Sequence, residues 1–549
     1  MRKQERSILC ALLIFLLWAS PTLAEEPPPR TFELDAEYRV RNMHLRPWEL
    51  SGTEIGSATW TQQRLRVDAI TRQEGVGAII LQLDILDGVI FGDNGAFGKD
   101  PSSISGVSLA AKRPNNSVWE MGLIPGKDPL DPDSYGPSLK AAEPIHVNHA
   151  YGEILLPIGV LKVGRQPLAD GDQISAHDGG RQNRWGVSSY SDTADRILFG
   201  TKISEIYRAL RDGKDYVPDR SLDNGVFWGV FYDWMNQGSI FKLKDDLGQS
   251  GGALMFKQAE ADWFGWDWSE LLVFLRAVHL QNDQFESDVW AFPCRAEASV
   301  NNWKLTLQGG YIYGHSREIS EGFAALASSE PTRQKIQGMG AQAILDWKIG
   351  PATLTMEADY ATGDDDPRSQ TPITSFTFAR DLNVGLLLFE HILAFESARS
   401  VAVGIENLSS LDAASFPLTE AQTDGRFTNA IALFPQLKLD WVDTHEHQFH
   451  TRFGVLFAWP EADGGAVDPI RTILADDGLE ISDDAKNFHG GDPGDYYGTE
   501  YDIQLQWTFR DRFIWSLEGA FLVPGSSLED EHFQATPSFM MENRFLFLF

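Results

Sequence analysis

The sequence is almost free of cysteine. Cys10 and Cys294 are the only two cysteines in 549 residues, and Cys10 lies in a leader that we expect to be removed. The one remaining cysteine cannot form an internal disulfide bond. A disulfide-stapled fold is therefore excluded.

Long apolar runs and basic residues are also scarce. After residue 24 the longest apolar run is 384–389, whereas a membrane-spanning helix needs roughly 18 apolar residues. The chain has 46 Lys and Arg against 78 Asp and Glu, a net charge of −32 at pH 7. A nucleic-acid partner would need a basic stripe, so we expect none. A closed β-barrel stays possible, because its strands cross a bilayer with only about 10 alternating residues each.

Motifs of the common catalytic sites are missing. The sequence has no GxSxG segment, no Walker loop and no CxxC pair. The histidines of DTHEHQFH, His445, His447 and His450, do not form an HExxH motif, because Phe449 occupies its last position. A short turn between strands explains this segment better than a zinc site. We therefore expect neither an enzyme nor a bound cofactor.

The N-terminus has the features of a secretory signal. Three basic residues within the first six precede an apolar core at 8–19, and residues 22–24 (TLA) offer a small-residue cleavage site. We predict a signal peptide at 1–24 and a single domain at 25–549.

Apolar and polar residues alternate along much of the remaining chain. In FELDAEYRVR (32–41) every second residue is apolar and every residue between is charged. The same period occurs in RLRVDAI (64–70), NWKLTLQ (302–308) and EYDIQLQWTF (500–509). Successive side chains of a strand point to opposite faces, so each segment predicts a strand with one apolar and one polar face.

The connections between these strands are of two kinds. Some are short, such as FGWDW (264–268) and RDR (510–512), whereas others are long, polar and rich in Gly, Asp and Pro: 88–116, 125–145, 166–195, 361–375 and 460–498. A barrel with short turns at one rim and long loops at the other has this pattern. The tryptophans 263, 266 and 268 crowd one turn, as an interfacial belt would. Two stretches, 204–213 and 383–400, break the alternation and are predicted to be short helices or lumen plugs.

The last residues, MMENRFLFLF, place Phe545, Phe547 and Phe549 on one face. Outer-membrane barrels commonly end in such a strand. We expect the apolar faces to meet outer-membrane lipid, and Phe549 to be read by the barrel assembly machinery. A soluble sandwich would turn its apolar faces inward, but one of this size would need several cores and visible linkers. We predict a location in the bacterial outer membrane.

A more specific pattern lies in HAYGEILLPIGVLKVGRQPLADGDQISAHDGGRQNRWG (149–186), where GRQ follows a strand and a Gly-Asp pair follows in the next loop. DYATGDDDP, FARDLNVGLLLF, YGTEYDIQL and EGAFLVPGSSLED come later in the same order. In these motifs the chain resembles the alginate-export family of outer-membrane porins. The resemblance implies an all-β fold: a transmembrane antiparallel barrel of about 18 strands (range about 16–20) with long outer loops and one or two short helices. It also implies a constriction lined by arginines that attract polyuronate.

Carried over position by position, Arg165 and Gln166 match the GRQ and Asp172 matches the Gly-Asp pair. An arginine expected soon after that pair is absent, and Arg181 or Arg184 would replace it. This departure bears on the substrate more than on the fold.

The residues themselves give a second argument. Arg39, Arg64 and Arg66 fall at lumen-facing or strand-end positions, and rings of arginine select anions in pores because a guanidinium stays charged and grips carboxylates with two bonds. The alternative is that each arginine pairs with a lumen carboxylate and holds the wall together. Acids outnumber bases on the polar strand faces, so either the acid lies mainly in outer loops or the solute is not a polyanion.

Three functions are compatible with this pattern. The first is an outer-membrane channel for a hydrophilic anion such as a polyuronate or an acidic oligosaccharide. The second is a general diffusion porin for small hydrophilic solutes, with opposed acids and arginines across the lumen. The third is a plugged barrel that serves as a docking or structural partner.

One acidic loop is a weak candidate for calcium. Asp364, Asp365 and Asp366 stand in a row in TGDDDPRSQ, and carboxylates in a Gly-rich loop suit calcium. Their spacing is not that of a calcium loop, which alternates its ligands. A solvated turn without metal is the preferred interpretation.

Overall fold

The structure is a computed structural model that describes residues 29–47, 50, 58–92, 121–123, 135–137, 143–169, 171–180, 183–187, 191–235, 248–263, 266–283, 285–321, 330–368, 370–380, 382–397, 400, 423, 425–478 and 480–549. The predicted signal peptide, with Cys10, and Arg181 lie outside the described residues.

Eighteen antiparallel strands pair in chain order into one closed sheet within the described ranges. The sheet closes because the first strand pairs with the last, from Glu37 opposite Leu548 to Arg46 opposite Phe539. This confirms the predicted all-β barrel of about 18 strands. The strands are β1 (Arg30–Arg46), β2 (Ala58–Gln73), β3 (Gly77–Gly92), β4 (Glu143–Leu156), β5 (Gly159–Pro167), β6 (Thr193–Lys202), β7 (Asn224–Trp234), β8 (Gly248–Gln258, continued by Ala261–Trp263), β9 (Trp266–Asn282), β10 (Ser287–Ala291 and Cys294–Val300), β11 (Trp303–Ser316), β12 (Gln334–Ile349), β13 (Ala352–Ala361), β14 (Ala430–Asp443), β15 (His447–Trp459), β16 (Gly498–Phe509), β17 (Phe513–Pro524) and β18 (Ser538–Leu548).

Helices are short and lie between the strands. They are α1 (Ile203–Asp212), α2 (Pro469–Ala475), α3 (Ile481–Asp484), the 3-10 turns Gly213–Asp215 and Ser526–Leu528, and a π-helix at Leu388–Leu393. Two small hairpins stand outside the barrel sheet, Met121–Leu123 with Tyr135–Pro137 and Asp172–Gln173 with Ala176–His177. No helix in the described part of the chain is long and apolar enough to cross a membrane.

The alternation orients the wall. On β11, Leu305 and Leu307 are exposed on the outside, whereas Thr306 and Gln308 between them are buried inside. On β2, Arg64 and Arg66 point inward and alternate with apolar neighbours. An apolar exterior around a polar interior suits lipid, and a closed sheet leaves no unpaired edge in it. The chain is an outer-membrane β-barrel.

The two rims of the barrel differ in loop length. Turns of two or three residues join strands at one rim, at 74–76, 157–158, 301–302, 350–351 and 510–512. Most long connections join strands at the other rim, and the exception is the connection 203–223 between β6 and β7, which leaves from the short-turn rim. At the short-turn rim Trp303 stacks on Trp347 with ring centroids 4.8 Å apart, whereas the predicted belt at 263–268 stays a prediction, because the side chains of 263 and 266 lie outside the described residues. Phe549 exchanges two backbone hydrogen bonds of 2.9 Å with Ala36 and points outward. Its role as an assembly signal stays a prediction.

Described segments of two long connections fold into the lumen: those of loop A, between β5 and β6 (168–192), and those of loop B, between β13 and β14 (362–429). Segment 382–397 of loop B contains the π-helix, and its described side chains are almost all buried. The prediction of a helical lumen plug at 383–400 is thus confirmed for its described residues. The other predicted stretch, 204–213, is the helix α1, but it lies at the short-turn rim because it joins β6 to β7.

Candidate pore constriction

Loop A crosses the barrel interior and is held by strands on several sides. The backbone N–H of Ile174 donates to Gln308 on β11 at 3.1 Å, and that of Gly186 donates to Glu518 on β17 at 2.8 Å. The indole of Trp185 donates to Gln436 on β14 at 3.0 Å and is completely buried. Loop A is thus bound to β11, β14 and β17 across the barrel interior.

Arg184 is one predicted pore residue that loop A carries to the wall. Its guanidinium grips Asp346 of β12 with two bonds of 2.8 Å and also reaches Thr355 of β13 at 3.3 Å. Nearby, Arg452 of β15 donates to the carbonyl oxygen of Arg184 at 2.7 Å. Arg184 therefore fixes the loop, and its charge is matched by a carboxylate.

The predicted arginines of β1 and β2 point inward but are buried. Arg66 forms two bonds of 2.7 and 2.8 Å with Asp84 on β3, and a third of 2.6 Å with the carbonyl oxygen of Gly179 in loop A. Arg64 pairs with Glu37, and Arg39 lies 4.0 Å from Asp87. For these three arginines the structure agrees with the alternative interpretation of the sequence, in which each pairs with a lumen carboxylate.

Arg165 is not in the lumen, which corrects the sequence interpretation. Alternation along β5 places Arg165 on the same face as the exposed Val163, whereas Gln166 points inward and is buried. Arg165 pairs across the outer surface with Asp195 of β6 at 3.1 Å. Successive residues of a strand point to opposite faces, so a shift of one residue moves a side chain from the lumen to the outside. The motif match did not determine which of the two faces Arg165 occupies.

The other predicted site residues have structural partners or are undescribed. Gln166 donates to the carbonyl oxygen of Arg196 at 2.9 Å. The backbone of Asp172 lies opposite that of His177 in the small hairpin of loop A. Arg181 lies outside the described residues.

Sequence reasoning missed a basic cluster on the wall opposite loop B. The ring of Phe231 on β7 lies between two guanidiniums, 4.5 Å from that of Arg196 on β6 and 4.6 Å from that of Arg276 on β9. Arg295 of β10 lies beside Gly171 at the start of loop A. The signal was present in the sequence, because each arginine occupies an inward position of an alternating strand, but none lies in a motif.

The charges of this cluster do not balance. Arg196 is paired with Asp233 through bonds of 2.6 and 2.8 Å, and Arg295 is paired with Glu297. Arg276 donates to the carbonyl oxygen of Leu168 at 2.7 Å, yet it forms no ion pair among the described residues, and its Nε has no hydrogen-bond partner there. Arg276 is therefore bound to no carboxylate among the described residues, although the charge of Asp233 also acts on it. An arginine without a bound carboxylate can offer an anionic solute strong, charge-assisted hydrogen bonds.

The opposite wall is filled by protein. Apolar inward side chains near the long-loop rim pack against segment 382–397 in one buried cluster: Met43, Leu45, Leu456, Leu522, Met540, Leu386, Leu388, Phe389, Ile392 and Phe395. The carboxylate of Glu500 on β16 accepts the backbone N–H groups of Leu386, Leu387 and Leu388 at 2.7–2.8 Å. One carboxylate thus satisfies the amides at the start of the π-helix.

The weak calcium loop has other partners. Asp366 forms a two-bond ion pair with Arg368, while Asp364 accepts backbone N–H groups of Asp366 and Thr374 at 3.2 and 3.3 Å. Burial raises the pKa of Asp364 to about 7. Within the described ranges no group of three or more acidic, histidine or cysteine side chains has an arrangement that could hold a metal ion.

Neither a protein-family model nor a curated protein sequence matches the chain. Solved structures with similar folds include Pseudomonas aeruginosa OccK2 (OpdF), at 11% identity and a TM-score of 0.41, with 94% of this chain and 98% of that chain covered. OccK2 in complex with glucuronate has 10% identity and a TM-score of 0.41, with 94% and 96% covered. Acinetobacter baumannii OccAB4 has 6% identity and a TM-score of 0.43, with 94% and 98% covered.

Likenesses at this identity and TM-score carry no information about substrate, and the barrel architecture rests on the strand pairing of this chain. The outer-membrane barrel expected from the resemblance is confirmed. Membership of the alginate-export family stays a prediction.

Proposed function

We propose that this barrel is a channel for hydrophilic solutes that carry a carboxylate, such as an acidic oligosaccharide or a short polyuronate. The observation that supports the proposal is Arg276, which faces the lumen beside loop A without a carboxylate partner among the described residues. Guanidiniums at a constriction attract anions, and low dielectric strengthens that attraction.

The path of the solute follows from the filling of the barrel. Segment 382–397 occupies the lumen beside β14–β18 and β1 near the long-loop rim. Water and solute would therefore pass along the inward faces of β2–β10. Arg276, Arg196 and Arg295 line that side where loop A begins.

A general diffusion porin is the second candidate. Most inward arginines are neutralised by carboxylates, as in the pairs Arg66–Asp84, Arg196–Asp233 and Arg41–Glu542. Such pairs would give a transverse field that disfavours apolar solutes without selecting anions. A fully plugged docking barrel, the third hypothesis, would conduct no ions.

Planar-bilayer conductance in a salt gradient separates the three. The anion channel predicts a reversal potential on the anion side and block by a short uronate oligomer, but not by a neutral oligosaccharide of equal length. Raised salt should weaken the block, since the screening length falls to about 3 Å at 1 M. A cation-selective or non-selective channel that ignores the uronate would contradict the proposal and favour the diffusion porin.

Arg276→Ala tests the residue directly. We expect the reversal potential to shift toward cations and the uronate block to weaken about tenfold, which corresponds to about 1.4 kcal/mol, close to the lower end of the range for a hydrogen bond to a charged group. Arg165→Ala is the matched control, because Arg165 is also a strand arginine but lies on the outer face. Equal effects of the two substitutions would show that Arg276 has no special role.

A further inference from the structure

The helix α1 carries an apolar stripe that its own chain leaves exposed. Ile203, Tyr207 and Leu210 are 43%, 66% and 82% exposed. Their spacing of four and three residues places them on one face of the helix. A surface helix of a soluble protein turns such a stripe toward the protein core. The orientation of α1 is the opposite, because its apolar stripe is exposed.

The polar face of α1 is the one that packs against protein. Glu205 is only 3% exposed and accepts hydrogen bonds from the Tyr216 hydroxyl at 2.9 Å and the Asp219 backbone N–H at 2.8 Å. Arg208 donates to the same carboxylate at 2.8 Å. These bonds lower the pKa of Glu205, although its burial opposes them, so the carboxylate stays charged. The reversed orientation is therefore anchored by charge-assisted bonds.

The direction of the stripe follows from the neighbours of this anchor. The ammonium of Lys202 donates a hydrogen bond of 2.7 Å to the carboxylate of Asp219 and lies over the ring of Phe227, 5.9 Å from its centroid. Phe227 points to the lumen, because Val226 and Trp228 on either side of it are exposed on the outer face. The polar face of α1 thus turns toward the mouth of the pore, and the apolar stripe turns toward the side on which the barrel meets lipid.

The helix also lies at the depth of the membrane interface. It begins directly after β6 ends at the short-turn rim, which carries the stacked pair Trp303 and Trp347. Aromatic girdles mark the headgroup level of the bilayer. The stripe of α1 therefore lies at the rim where the lipid-facing surface of the barrel ends.

We propose that α1 is an interfacial anchor in the leaflet at the short-turn rim, which in outer-membrane barrels is the periplasmic one, with Ile203, Tyr207 and Leu210 among the acyl chains. Helices with a strong apolar face and low overall hydrophobicity bind at this boundary. The charges of Glu205, Arg208, Arg211 and Asp212 cancel within the helix. Binding would therefore depend on apolar burial and not on anionic headgroups.

The test uses single cysteines in the full barrel, with Cys294 replaced by serine. Leu210→Cys and Ser204→Cys each carry an environment-sensitive fluorophore, and the protein is reconstituted in vesicles of zwitterionic phospholipid. We expect the probe at 210 to emit at shorter wavelength and to be quenched by lipids spin-labelled near the headgroup. The probe at 204, exposed on the flank of the same helix, should respond several-fold less.

Three results would overturn the proposal. One is an equally wet environment for both probes in pure lipid vesicles. Another is a shift at 210 that requires added periplasmic protein, which would indicate a protein partner. The third is a shift that requires anionic lipid. A second measurement guards against a local effect of the label: Tyr207→Glu should raise amide hydrogen exchange in α1 in vesicles while conductance stays unchanged.

Discussion

The two sides of the barrel wall differ in the kind of residue that they turn inward, and in how those residues are buried. The plugged sector consists of the inward residues of β14–β18 and β1 near the long-loop rim, together with segment 382–397. The charged sector consists of the inward residues of β2–β10. Leu456 and Leu522 in the plugged sector are fully buried by protein, whereas Arg66 and Asp84 in the charged sector neutralise each other. Both sectors obey the same alternation, but the inward residues of the plugged sector are covered by apolar packing, whereas Arg66 in the charged sector is covered by Asp84 and by loop A.

The plugged sector has the energetics of a soluble core inside a membrane protein. Burial of apolar surface from water contributes roughly 25 cal/mol per Å² to the free energy of folding. Apolar residues on the outer face contact lipid and not protein, so their packing adds no such contribution between parts of the chain. Glu500 supplies the polar complement by accepting three amides that would otherwise be buried without partners. The plug is therefore held by packing and by one carboxylate.

The largest expected effect is release of the plug. Glu500→Ala leaves the amides of Leu386, Leu387 and Leu388 without acceptors, at a cost of roughly 1–3 kcal/mol for each buried group. Segment 382–397 should leave its seat, and single-channel conductance should rise severalfold. Glu500→Gln, which keeps one acceptor oxygen, should have a smaller effect.

Tyr501→Leu is the control, because Tyr501 neighbours Glu500 but faces outward. If Glu500→Ala conducted like the unaltered channel while remaining folded, the plug would not depend on this carboxylate, and the contrast between the two sectors would lose its main support.

The sequence predicted the barrel and the positions of its rims well. Alternation is a local property, so residues such as Leu305 and Thr306 show their faces without tertiary information. The plug at 383–400 was visible as a break in that alternation. Its seat was not, because the contact between Glu500 and Leu386 joins residues more than a hundred positions apart.

The second prediction concerns the junction between the sectors. Trp185 of loop A is fully buried, stacks on Phe434 with centroids 5.8 Å apart and donates to Gln436. Trp185→Ala should lower the free energy of unfolding by about 3–5 kcal/mol, as large-to-small changes of buried aromatics do. Urea unfolding in lipid vesicles measures the change. Trp228→Ala, on the outer face of β7, should cost less, and equal losses would contradict a structural role of loop A.

The third prediction tests whether the charges of the inward residues in the charged sector set the ion selectivity of the channel. Asp84→Asn removes the carboxylate that neutralises Arg66 and lies 3.8 Å from Arg64. Uncompensated guanidiniums should move the reversal potential toward anions, opposite to the effect of Arg276→Ala. Asp195→Asn changes the same residue type on the outer face and should leave the potential unchanged. A shift toward cations in Asp84→Asn would mean that Arg64 and Arg66 do not face the permeant path.

The site was less predictable than the fold, because it depends on which face of its strand each arginine occupies and on which carboxylate pairs with it. Both depend on contacts between residues far apart in the sequence. Arg165 was assigned to the pore from its motif, yet it lies outside, whereas Arg276 lies in no motif and faces inward without an ion pair among the described residues. The charge available to a solute depends on which carboxylates lie across neighbouring strands, and strand register decides that.

The smallest expected effect is a pH dependence at the base of loop B, which mounts the plug. Burial first, and then repulsion by Asp365 and Asp366, raises the pKa of Asp364 from 3.8 to about 7, although the amides of Asp366 and Thr374 favour its charged form. A raised carboxyl pKa means that the folded loop holds a proton that the open loop releases. The stability of this turn should therefore fall as pH rises from about 4 and level off above about 7. Hydrogen exchange at Asp366 and Thr374, corrected for its intrinsic rate, should show more frequent opening at pH 8 than at pH 5. Asp364→Asn should remove this difference in exchange between pH 5 and pH 8. If the pH dependence persisted in the variant, another group would be responsible for it, and the loop that holds the plug would not depend on the protonation of Asp364.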